Sequence, residues 1–124
     1  MAEIIPILHP RIFTELQAEQ LLPTIKRITE RADTDARIIQ EQLRFIPPTE
    51  PIFKKYAIEF EMVIQRWVTK VKKLGAKPTG IWIVNFETEN GCFSWRLGDE
   101  NISFFNAHEV ESTIKFIEDD FRNL

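Results

Sequence analysis

A chain of 124 residues, 44% of them hydrophobic and 28% charged, has the size and composition of one globular unit with one core, able to be stable without metal or disulfide staples. A net charge of −3 excludes a general electrostatic attraction to nucleic acid or to an anionic membrane. The single cysteine, Cys92, excludes an intramolecular disulfide, and no run approaches the roughly 20 apolar residues of a membrane span, so a cytoplasmic address is expected.

Residues 1–12 predict an extended arm, because Pro6 and Pro10 forbid a helix while Ile4, Ile5, Ile7 and Leu8 call for burial. From Thr14 the pattern turns helical. Thr14 and Gln17 form a capping-box pair, and Phe13 can staple back onto Ala18. Apolar residues then recur at Leu21, Ile25, Ile28, Ala32, Ile39, Leu43 and Ile46, close to the period of about 3.5 of a helix packed along another helix. Pro23 inside this run predicts a kink.

Pro47, Pro48 and Pro51 end that helix and offer Thr49 as the next cap. The second helix carries Phe53, Tyr56, Phe60, Val63, Trp67, Val71 and Leu74 and stops at Gly75, with Lys70, Lys72 and Lys73 in its last turns. Pro23 to Ile46 and Pro51 to Leu74 would each span roughly 36 Å, which predicts an antiparallel hairpin over residues 14–75. Ile58, Met62, Ile64 and Val68 fall beside or beyond the seam, so the second helix is apolar over more of its circumference than one partner covers. Ile58 and Met62 are therefore the candidate interface residues, with the sheet or a second subunit as the surface they meet.

After Gly80 the period changes to two. Residues 81–86, 92–97 and 102–105 read as strands joined by a turn at 87–91 and a loop at 98–101, a three-stranded antiparallel meander over 80–105. Phe93, Trp95 and Leu97 share one face of the middle strand with Trp82, Val84, Phe86, Ile102 and Phe104 of its neighbours. Cys92, Ser94 and Arg96 share the other, which turns Arg96 toward Ser103 or Phe105 with Asn85 in reach. Asn106 with Glu109 repeats the cap pattern, and Val110, Ile114, Ile117 and Phe121 make the stripe of a closing helix over 107–121. The fold class expected is α+β: a long helical hairpin laid on a three-stranded antiparallel sheet, with a C-terminal helix.

Chemistry is thinly signposted. Arg96 admits three readings: a half-exposed side chain paired with Asp99, Glu100 or a carboxylate of the last helix, a small anion pocket built with Trp95 and Asp99, with His108 and Glu109 nearby, or a contact in an interface. His108 and Glu111, three residues apart on a helix, could share a metal only if a third ligand converged. His9 has no visible partner, and Cys92 at a turn exit has no base to activate it. Glu59 and Glu61 do not share a helix face, the Glu-x-x-His pairs of di-iron bundles are missing, and the chain's four glycines form no phosphate-binding pattern. Arg66, Lys70, Lys72, Lys73 and Lys77 are interspersed with acids and suit a helix C-terminus better than nucleic acid. No catalytic residue, metal or cofactor is nominated.

Two segments carry a resemblance. Phe13-Thr14 followed by Ala18 and Leu21-Leu22-Pro23, and later Trp95-Arg96-Leu97-Gly98-Asp99 preceded by a strand like that from Gly80 to Phe86, resemble the bacterial DUF2203 family, a domain of unknown function. The chain departs from that pattern at Glu19, where the family has Asn, at Asn85, where it has Asp, and at Ser94, where it has Cys. Phe105-Asn106 stands in place of a Trp-His pair, with His108 two residues later. The resemblance implies architecture more than activity. The reading expected is a non-enzymatic module that self-associates or binds a protein partner, through the hairpin or the arm containing Ile4 and Leu8, with no nucleic acid or membrane partner. Its alternative is a small-molecule or anion-binding protein, an enzyme included, with a pocket around Arg96.

Overall fold

A computed structural model describes residues 11–106. Residues 1–10 of the expected arm and the closing helix expected over 107–121 lie outside the described residues.

The first helix, α1, runs Glu15–Leu43 and begins at the capping box. The Thr14 hydroxyl accepts the Gln17 N–H at 3.1 Å, and Gln17 Oε1 accepts the Thr14 N–H at 3.0 Å, which satisfies two backbone donors of the first turn. The helix continues without interruption through Pro23. Its buried residues, Ala18, Leu22, Ile25, Thr29, Ala32 and Ala36, step by three and four along one face. It ends at Leu43, short of the expected Ile46. Pro47 biases Ile46 away from helical backbone, and the last turn closes with three-residue bonds from the Phe45 N–H to Gln42 and from the Ile46 N–H to Leu43, each 3.3 Å.

The second helix, α2, spans Pro51–Lys73, and its N-cap is Glu50 rather than the expected Thr49. Pro51 decides this. It excludes the residue before it from helical backbone while its own fixed φ suits the first helical position, so the boundary falls at Glu50, whose side chain makes no capping bond. Trp67 and Val71 are buried on α2, and Gly75 beyond it adopts φ +90.

The sheet has four strands, not three: β1 (Lys77–Gly80), β2 (Ile83–Glu87), β3 (Gly91–Arg96) and β4 (Ser103–Asn106), antiparallel and in sequence order across the sheet. The expected strand over 81–86 is in fact a turn followed by β2, with Trp82 at φ 64. β1 hides from pattern reading because Pro78 and two flanking turn formers weaken any strand signal, and an edge strand is where a sheet tolerates proline. Trp82 accepts a left-handed backbone that costs a bulky residue about 1–2 kcal/mol. Its ring meets Trp67 edge-on at 5.0 Å and its carbonyl accepts the Leu97 N–H at 3.0 Å, which offsets that strain.

Register sorts the faces. Val84 pairs with Trp95, and Phe86 with Phe93, which pairs in turn with Phe104. Val84, Phe86 and Trp95 join Leu22, Ile25, Trp67 and Val71 in one hydrophobic cluster, with Phe93, Leu97 and Ile102 packed against it. Burying each large apolar side chain contributes about 1.5–3 kcal/mol, so this layer between hairpin and sheet is where stability resides. Arg11 and Phe13 donate backbone N–H groups to Gly75 and Glu87 at 2.8 and 2.6 Å, and the Phe13 ring meets Phe86 edge-on at 5.3 Å.

Candidate functional site

The Trp95 to Asp99 segment is a turn held from several sides. The Trp95 indole N–H donates to the Asp99 carbonyl at 2.8 Å, the Asp99 N–H donates to the Arg96 carbonyl at 2.9 Å, and the Arg96 N–H reaches Asp99 Oδ2 at 3.3 Å. Gly98 at φ +105 closes the turn. Lys26 of α1 donates to the Glu100 carbonyl at 2.8 Å and fastens the loop to the hairpin. Trp95 is thus a core residue and Asp99 a turn residue. Arg96 is exposed at the end of β3, and its guanidinium makes no hydrogen bond or ion pair among the described residues. His108 and Glu109 lie outside the described residues.

Concave surface lies elsewhere. A groove of about 360 Å³ at the end of the sheet is lined by Ile12, Phe13, Phe93 and Phe104. A second, of about 260 Å³, runs between the helices beside Arg31, Asp35, Arg66 and Lys70. Arg96 lines neither.

The sheet face turned away from the hairpin carries a polar grid. Asn85 stands between Lys77 on β1 and Ser94 on β3, and Ser94 faces Ser103 on β4. One row along, Glu87 faces Cys92, which faces Phe105. Asn85 is only 2% exposed and Cys92 only 1%, so this face is not a solvated one at its centre. Asn85 Oδ1 and Glu87 Oε2 are both buried without a hydrogen-bond partner, as is Thr79 Oγ1 near the irregular end of β1. Burial first, and the Glu87 carboxylate second, push the Cys92 thiol up to about 11. Alternation had placed Asn85 and Cys92 on this side, but no sequence signal told buried acceptors from a solvated polar face.

A family model described as an uncharacterised conserved protein (DUF2203) matches residues 11–115, most of the chain. This chain belongs to the DUF2203 family. No curated protein and no solved structure matches it. Within this DUF2203 chain, Asn85 and Ser94 are direct cross-strand partners at the centre of the polar grid. Among the described residues, no group of three or more His, Cys, Asp or Glu side chains is placed to hold a metal, and no helix is long and apolar enough to cross a membrane.

The DUF2203 hairpin offers a second kind of surface. Its buried residues stop at Ala36 on α1 and resume at Trp67 on α2, so none of residues 37–66 is fully buried. Phe45 near the tip is 75% exposed, and Ile58 and Met62 on α2 are 48% and 45% exposed. Pro51, Lys54, Lys55, Ile58, Glu61, Met62, Gln65 and Thr69 form one exposed stripe along α2, at the three- and four-residue spacing that shares a helix face.

Proposed function

We propose that this DUF2203 protein is an interaction module that self-associates through the exposed stripe of α2. The observation that carries this reading is the unburied outer half of the hairpin, where apolar side chains are repeated at helical spacing yet meet no described surface.

Charge pattern favours a second copy as the partner. A two-fold contact sets residue i against residue j and j against i. With the axis at Ile58, Lys55 of one copy falls opposite Glu61 of the other, Lys54 falls opposite Met62, and the Ile58 side chains meet at the centre. Lys54, Lys55 and Glu61 make no ion pair among the described residues, so these charges are available across such a contact. Lys and Glu flanking an apolar centre are the arrangement that fixes register in helix pairs.

Light scattering coupled to size exclusion over a range of micromolar concentrations should show a dimer. Ile58→Glu should dissociate it, and so should Lys55→Glu, while Lys55→Glu combined with Glu61→Lys should restore it. A monomer at every concentration, or a double variant no better associated than Lys55→Glu alone, would sink the reading.

A further inference from the structure

We propose that the sheet face opposite the hairpin is a binding site for a small organic ligand bearing a protonated primary amine, held by Glu87 and Asn85. Buried acceptors are almost always paired, and here two on one strand are not: Asn85 Oδ1 and Glu87 Oε2 have no donor, and Asn85 is only 2% exposed. Residues two apart on a strand share a face about 7 Å apart, and their side chains can converge on one ammonium nitrogen within hydrogen-bond distance of both. An ammonium carries three donors. The Ser94 hydroxyl opposite Asn85 is an acceptor on offer for the last of them.

Charge selects the same class. Glu87 makes no ion pair among the described residues, and a half-buried carboxylate favours a cation beside it. Cys92, directly across from Glu87, keeps its proton at neutral pH and adds no competing charge. A hard metal ion would ask for six or so oxygens, and a soft one for a thiolate that Cys92 does not supply. Lys77, opposite Asn85 and exposed, stands at the margin as the cation a ligand must displace or coexist with.

The test is an amide NMR titration of the full chain with n-propylammonium, with tetramethylammonium as a cation of equal charge that has no N–H, and with magnesium. The expected result is saturable shifts at the Asn85 side-chain amide, Glu87 and Cys92 with propylammonium and none with tetramethylammonium. Glu87→Gln should weaken binding roughly ten- to hundredfold, the loss of one charge-assisted hydrogen bond. Asn85→Asp and Lys77→Met, which make the face more negative by different routes, should each tighten it. Absence of saturable shifts, equal response to tetramethylammonium, a stronger response to magnesium at the same residues, or unchanged affinity in both Asn85→Asp and Lys77→Met would overturn the proposal.

Discussion

Trp67 donates its indole N–H to the Thr29 hydroxyl at 2.8 Å, across the hairpin and fully inside it. The contact joins residues 38 apart in sequence and lies where the apolar stripes of both helices face the sheet. Apolar seams tolerate a slip of one helical turn, whereas a buried polar pair satisfies itself in one register only. Thr29 and Trp67 therefore align α1 and α2 on the same layer of the sheet.

Thr29→Val keeps the shape of residue 29 and leaves the Trp67 N–H buried without an acceptor. The expected loss is about 1–3 kcal/mol, read as a lower urea midpoint with an unchanged slope. Trp67→Phe orphans less, because the Thr29 hydroxyl can turn back to the carbonyl four residues earlier. The double variant should consequently lose less than the sum of the two single losses, and strict additivity would mean that the pair does not interact.

Much of this architecture was legible because it rests on local chemistry. The Thr14 and Gln17 capping box, the apolar period of both helices and the alternation that put Trp95 inside and Arg96 outside are all dictated by residues within a few positions of one another. The missed features depend on distant partners. Trp82 belongs to a β-rich run by composition, and its left-handed turn becomes tolerable only because Trp67 and Leu97 hold it from elsewhere in the chain. β1 exists because β2 supplies its partner, despite Pro78. The buried acceptors of Asn85 and Glu87 follow the alternation expected of a wet face, and nothing within a few residues of either distinguishes a buried acceptor from a solvated one.

Arg96 and Gly98 should separate in their effects. Arg96→Ala removes a guanidinium with no described partner and should change stability by no more than about 0.5 kcal/mol. Gly98→Ala meets no atom within 4 Å of its added carbon but must hold φ +105, so its cost is conformational, on the order of 1–2 kcal/mol. Gly98→Asn should recover part of that. Thermal melts of the three variants decide it, and a large drop for Arg96→Ala would assign the side chain a structural partner.

Cys92 makes stability depend on alkaline pH. Its folded thiol titrates at about 11 against an ordinary value of 9.0, chiefly through burial and then through Glu87. Between those values the unfolded chain has released a proton that the folded chain retains. The stability conferred by the neutral thiol is thus complete below pH 9.0 and is lost as pH rises through 11. The stability difference between the native protein and Cys92→Ala should shrink from pH 8 toward the upper value, about as a single titrating group would make it. A difference constant across that window would mean that the thiol is not buried. At pH 8 the same burial predicts labelling by a disulfide reagent no faster than global unfolding.

The two halves of the hairpin should differ in how they open. Residues 18–36 of α1 and 67–71 of α2 are pinned to the sheet by the hydrophobic cluster, whereas none of residues 37–66 is fully buried. Amides of the outer half should therefore exchange with solvent through local fraying, and those at Ile25, Thr29 and Val71 through openings that approach global unfolding. Concentration adds the discriminating term. If α2 pairs with a second copy, protection around Ile58 and Met62 rises with protein concentration, because association stabilises only the folded outer half. Protection at Ile25 and Val71 rises much less, since their exchange is already limited by the sheet-packed layer. Exchange around Ile58 that is identical at low and high concentration would leave the exposed stripe as a feature of the monomer.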